Sequence, residues 1–122
     1  MSAPEPLLRR GEDVAYEEQD AADGMYKGVL IGPDDAPNYA MRRFRLDPGT
    51  EVPRHTNRVE HEQYVISGPY VVGIEDEEHV VETGDSLFVP GGTVHWYRNE
   101  GDEPVSFICV VPNEDDEIEM VE

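Results

Sequence analysis

The chain predicts an all-β domain, a two-sheet jelly roll or small barrel, and three observations lead there. Its apolar residues come in short β-branched and aromatic runs. Ten prolines and eleven glycines separate those runs with turns. About nine or ten such runs crowd the middle of the chain, a density expected of antiparallel barrels. With 122 residues there is room for one domain, burying roughly 65% of its unfolded surface. No internal repeat is visible.

Taken in order, residues 1–24 are polar and acidic without strong periodicity and read as an N-terminal arm. Met25 to Gly32 reads as a first strand, and Pro33 to Asn38 as a turn-rich loop. Tyr39 to Asp47 alternates as a strand and ends at Pro48-Gly49. Val52 to Asn57 and His61 to Ser67 follow, with Gly68-Pro69 as the next turn. Tyr70 to Glu75 and His79 to Thr83 form a hairpin around Asp76-Glu77-Glu78. Only 15 residues separate Gly68 from Gly84, enough for that hairpin and no inserted domain. Ser86 to Val89 and Thr93 to Arg98 flank Pro90-Gly91-Gly92. Val105 to Val111 is a strongly apolar last strand stopped by Pro112. Residues 25–112 thus make the barrel. Residues 113–122 are a charge run read as a solvated, mobile acidic tail.

Two spaced motifs carry the chemistry. From Gly84 to Asn99 the chain reads G-x5-P-x-G-x2-H-x3-N with every position filled. Physically this is a strand, a tight reversal and a second strand that delivers His95 to the interior. Upstream, Gly49 is followed after five residues by His55, then Asn57, His61 and Gly68. Side chains on one face of a strand recur with period two. His55, Asn57 and His61 share a parity, while Glu62 falls on the other face with Tyr64 and Ile66. His61 therefore faces inward with His55 and Asn57, and Glu62 would take that place only if the register shifts.

These motifs resemble the two motifs of the cupin superfamily, a double-stranded β-helix whose histidines are metal ligands. The order H-x-N-x3-H, with Glu60-His61-Glu62 before an aromatic-Val-aliphatic run, is similar to the small tetrahistidine manganese-binding monocupins. Asn57 stands where those relatives carry a histidine. The resemblance continues through Val29-Leu30-Ile31-Gly32, Asp35-Ala36-Pro37-Asn38, Met41-Arg42-x-Phe44, Arg54-His55 and Phe107-x-Cys109-x-x-Pro112, covering about residues 25 to 112. It implies one divalent transition metal on His55, His61 and His95, with manganese first and Fe, Zn, Ni, Cu or Co as alternatives. Asn57 is either a weak ligand through its amide oxygen or a hydrogen-bonding neighbour of the ligands. Phe107 and Cys109 are implied to line the metal cavity, Cys109 being otherwise a small inert hydrophobe. The resemblance also implies a homodimer, with an N-terminal strand added to the partner's sheet.

The remaining candidates have ordinary readings. His79 lies beside the acidic hairpin tip, outside both motifs, and reads as an exposed histidine. Phe44, Tyr64 and Ile66 read as core rather than substrate contacts. Of Trp96 and Tyr97, one is expected inside the barrel and the other over a sheet. Three functional readings follow. The first is a metal-dependent enzyme of oxidative, oxygenase-like type acting on a small molecule. The second is a non-catalytic metal or small-ligand binding module. The third, a structural barrel with no ligand, is disfavoured because desolvated imidazoles without partners are costly.

Charge bounds the partners. Twenty-eight acidic residues against nine basic ones give a net charge of −19, and Lys27 is the single lysine. Such a surface repels phosphate backbones and anionic lipid, so nucleic acid and membranes are not expected partners. No run approaches the roughly 18 apolar residues of a membrane span. The N-terminal run lacks the apolar core of a signal peptide. One cysteine permits no internal disulfide and suits a reducing compartment. A cytoplasmic protein is the expectation. Acidic excess with so little lysine resembles the cytosolic proteins of salt-in halophiles. At molar salt the Debye length falls to about 3 Å and screens self-repulsion. The thermal unfolding midpoint should therefore rise from dilute buffer to molar KCl; a midpoint indifferent to salt would remove the halophilic reading.

Overall fold

The structure is a computed structural model and describes residues 4–121. Its strands are β1 (Tyr16–Glu18), β2 (Met25–Ile31), β3 (Tyr39–Leu46), β4 (Glu51–Asn57), β5 (His61–Ser67), β6 (Tyr70–Ile74), β7 (Glu77–Val81), β8 (Ser86–Val89), β9 (His95–Arg98), β10 (Val105–Pro112) and β11 (Ile118–Met120). They form two antiparallel sheets, one ordered β1-β2-β3-β10-β5-β8 and the other β11-β4-β9-β6-β7. The all-β jelly roll expected from the sequence is what forms.

The core lies between the sheets. Leu46, Val65, Val72 and Phe107 are buried there, and Phe107 stacks on Phe44 and Tyr97 with ring centres 5.4 and 5.2 Å apart. Alternation along β5 sends His61, Gln63 and Val65 inward and leaves Glu62 and Tyr64 exposed. Tyr64 is half exposed and Ile66 only partly buried, which corrects their reading as core. The reason is parity: both share the face of Glu62. Phe44 is buried as expected.

On β4 the alternation breaks. Pro53 and Arg54 are both exposed while Val52 and His55 are both buried. The register against β9 shifts across this step, from Val52 opposite Tyr97 to His55 opposite His95. One extra residue on β4 is a β-bulge, a place where proline's missing N–H does no harm. Through it both Val52 and His55 face the interior.

Both terminal stretches contribute a short strand. Within the N-terminal arm, Tyr16–Glu18 pairs with β2. The C-terminal charge run stays exposed but is locally ordered: Ile118, Glu119 and Met120 pair with Asn57, Thr56 and His55 at the edge of β4. The charge pattern hid a short Ile-x-Met alternation that an open edge strand can use.

The turn into β9 is packed tightly against β4. Gly92 takes a φ of +81°, and its N–H donates to the Asn57 carbonyl at 2.8 Å. A Cβ on Gly91 would stand 2.3 Å from the Arg58 carbonyl oxygen, a backbone atom that cannot rotate aside. Gly91→Ala should therefore lower stability by about 1–3 kcal/mol. Gly11→Ala, with open space around it, should stay within about 0.5 kcal/mol of the parent. Equal urea midpoints for the two variants would show that the turn yields freely.

Candidate metal centre

His55 on β4 and His95 on β9 are directly opposed across the antiparallel pair. Their ring centres stand 4.2 Å apart, and that of His61, from the facing sheet, is 6.1 Å from His95. All three are buried, at 9, 1 and 7% exposure. His79 lies on β7 beside Glu77, remote from this group, with its side chain about half exposed. Glu62 points out of the barrel.

The ring orientations are fixed by the chain. Nδ1 of His55 lies 2.8 Å from the Pro53 carbonyl and Nδ1 of His95 lies 2.9 Å from the Thr93 carbonyl. A carbonyl only accepts, so each Nδ1 carries the proton and each Nε2 of the neutral ring keeps its lone pair. Nδ1 of His61 is 3.2 Å from Cys109 Sγ, and the same sulfur accepts from the Arg42 guanidinium at 3.5 Å. Nε2 of His61, Nε2 of His95 and Oδ1 of Asn57 are buried without a hydrogen-bond partner.

Burial sets the charge state. It pushes His61 and His95 down to about 4, helped at His61 by Arg42 and at His95 by His55. His55 is lowered by the same burial, partly opposed by its bond to Pro53. The Cys109 thiol is pushed up by burial, although Arg42 opposes the shift. The site at neutral pH is three uncharged imidazoles beside an uncharged thiol.

The rings converge on a cavity of about 120 Å³, the space of a few waters. Gln63, Tyr97, Phe44, Phe107 and Cys109 wall it, and the cations Lys27 and Arg42 reach it from the six-stranded sheet. Gln63 donates to the Tyr97 hydroxyl at 2.7 Å, and burial raises the Tyr97 phenol so that it stays protonated. Asp116, which the charge pattern assigned to a solvated tail, also lines the cavity. Its Oδ2 stands 4.0 Å from His61 Nε2. No motif announced it; only its place before the Ile118-x-Met120 alternation was available as a signal.

Among the described residues no three His, Cys, Asp or Glu side chains are drawn in closely enough to hold an ion as they stand. The donor set nevertheless fits a transition metal. Imidazole nitrogens are ligands for Mn, Fe, Co, Ni, Cu and Zn. Nδ1 tied back to a carbonyl is the outer hydrogen bond that ligand histidines use. Buried Nε2 and amide oxygen atoms lacking partners are what a cation would satisfy.

Comparison with known proteins identifies the class. The Cupin domain family matches residues 42–111, more than half of the chain, and the chain belongs to that family. The polyketide cyclase RemF from Streptomyces resistomycificus is similar in structure, with a TM-score of 0.85 and 26% identity over 95% of this chain and 87% of that one. Rru_A2000 from Rhodospirillum rubrum, a cupin-2 domain, shares the fold with a TM-score of 0.82 at 21% identity, over 99% of this chain and 84% of that one. A putative mannose-1-phosphate guanylyltransferase of Vibrio cholerae serotype O1 is 33% identical over 89 residues, 68% of this chain and 19% of that protein. The chain thus spans about a fifth or less of the length of the curated relatives it matches.

The depressed imidazoles make the metal-free protein sensitive to acid. An unfolded histidine takes up a proton near 6.5 while folded His61 and His95 wait until about 4. In that window the unfolded chain binds more protons, so stability is present above it and falls as pH drops. In molar KCl, which screens the carboxylates, stability of metal-free protein should fall from pH 7 to 4.5 more steeply than that of His61→Gln. Parallel profiles would show that His61 protonates as freely in the fold as in the unfolded chain.

Proposed function

We propose that this cupin binds one divalent transition metal through His55, His61 and His95 and acts there on a small, anionic, oxygen-bearing molecule. The observation that carries the reading is the set of neutral, buried imidazoles turned toward one cavity, two of them with Nδ1 tied to a carbonyl. Manganese is favoured by the likeness to tetrahistidine cupins, and Fe, Co, Ni, Cu and Zn suit the same donors. When bound, the metal supplies a Lewis acid or a redox centre. For His61 to donate through Nε2, its Nδ1–H points at Cys109 Sγ, which makes the thiol an acceptor that holds the ring.

The chain's own contribution is selection and orientation. In a protein of net charge −19, Lys27 and Arg42 turn a local positive field toward the cavity and favour a carboxylate, enolate or phenolate. Burial and the neighbouring Arg42 lower the Lys27 ammonium, while Glu17 opposes that shift. Gln63 and the protonated Tyr97 offer hydrogen bonds to a carbonyl or hydroxyl, and Phe44 and Phe107 keep water out. An open position on the metal would take dioxygen, a peroxide or a chelating small molecule, the oxidative reading. The likeness to a polyketide cyclase supports an enzymatic use of the same frame.

The test is elemental analysis of protein purified without a metal-affinity tag and reconstituted with Mn, Fe, Co or Zn. Roughly one metal per chain is expected. His55→Ala, His61→Ala and His95→Ala should each lose most of it, and His79→Ala should retain it. Metal content that drops as far in His79→Ala as in His61→Ala, or a parent that binds none, would overturn the assignment. Metal retained without turnover of oxidant or of small keto acids would identify the non-catalytic binding module instead.

A further inference from the structure

We propose that Asp116, from the C-terminal segment, is a positioning residue that aims the amide oxygen of Asn57 at the metal. The inference rests on the three-histidine reading above and adds a fourth donor to it. Asn57 faces inward from β4, two residues after His55, and is 5% exposed. The two ends of a primary amide are alike in shape, so its partners decide which end faces the cavity. Asp116 decides it. An ionised carboxylate only accepts hydrogen bonds, so the amide must turn its NH₂ group toward it. Asn57 Nδ2 donates to Asp116 Oδ2 at 2.9 Å. Oδ1 is thereby left buried and without a partner, as are Nε2 of His61 and His95. A buried amide oxygen left unpaired is costly, and a cation shared with the imidazoles removes that cost.

Asp116 is itself held by backbone hydrogen bonds. Its Oδ1 accepts from the backbone N–H groups of Arg58 and Val59 at 2.8 and 3.2 Å. The Arg58 guanidinium donates to the Asp115 carbonyl at 2.6 Å, and the Arg58 N–H is shared with the Glu117 carbonyl at 3.0 Å. These bonds fix which carboxylate oxygen meets Asn57. They also define an isosteric test. In Asp116→Asn the carbonyl oxygen must stay with the two backbone N–H groups, so the new NH₂ faces Asn57. Asn57 must then present Oδ1 to that NH₂ and turn its own NH₂, which cannot ligate, toward the metal.

The experiment uses full-length, metal-free protein with Co²⁺ as the probe, read by chelator competition and by visible ligand-field absorption. Asp116→Asn should bind Co²⁺ about 10–100-fold more weakly, the range for loss of a partner that orients a ligand. Its absorption bands should move, while the thermal midpoint of the metal-free protein stays near the parent's. In an Asn57→Ala background Asp116→Asn should cause no additional loss, because the two residues act as one unit. Asn57→His, which brings its own donor, should restore tight binding even when combined with Asp116→Asn. A further loss in the Asn57→Ala background would make Asp116 a direct ligand and overturn the inference. So would unchanged binding in Asp116→Asn, or a failure of Asn57→His to restore it. A parent that binds no Co²⁺ would overturn the three-histidine reading, and this inference with it.

Discussion

Antiparallel pairing of β4 with β9 puts His55 directly across from His95, and opposed side chains on one face of a sheet have Cβ atoms only about 4.5–5.5 Å apart. Packed sheets stand about 10 Å apart, a gap that imidazoles reaching inward from both sides nearly close. His61 supplies the facing side from β5. The bulge at Pro53 is what makes the pairing serve both core and site. Without it, Val52 and His55 would lie on opposite faces, and either the core or the centre would lose its residue. The bulge also leaves the Pro53 carbonyl free to hold the His55 ring.

Charge is sorted by depth. The surface carries the acidic excess, while the centre holds imidazoles kept neutral by burial, a protonated phenol and a protonated thiol. The basic side chains at the cavity, Lys27 and Arg42, come from neighbouring strands β2 and β3. Arg42 also lies over the Phe44 ring, 5.3 Å from its centre, which keeps its guanidinium against the cavity wall. Opposite them, from the segment leading into β11 of the other sheet, the Asp116 carboxylate also borders the cavity, 4.0 Å from His61 Nε2.

Much of this was legible in the residues, and the exceptions have physical causes. Strand order and the inward face of His55, Asn57 and His61 follow from turn residues and period-two parity. His95 follows from Pro90-Gly91-Gly92 reversing the chain just before it. The same parity rule, applied consistently, would have put Tyr64 and Ile66 outside with Glu62; apolar identity outweighed it wrongly. The bulge at Pro53 shows in the sequence only as an odd, three-residue spacing between two inward-facing residues, Val52 and His55, around a proline. Asp116 could not be read. It sits among acidic neighbours that are exposed, and only β11 pairing on β4 brings it under Asn57.

That last element ties architecture to chemistry. A strand of three residues, all exposed, adds little by itself, since edge pairing without burial is marginal. What fixes it is the carboxylate of Asp116, which satisfies two backbone N–H groups just past the end of β4 and an amide within it. The bonds that anchor the segment therefore also set the direction of the Asn57 amide. Ile118 and Met120, carried by the same strand, line the cavity. A histidine at position 57 would bring its ligating nitrogen without help from another segment. An asparagine needs its orientation imposed, and the charge run at the end of the chain carries the acceptor that imposes it.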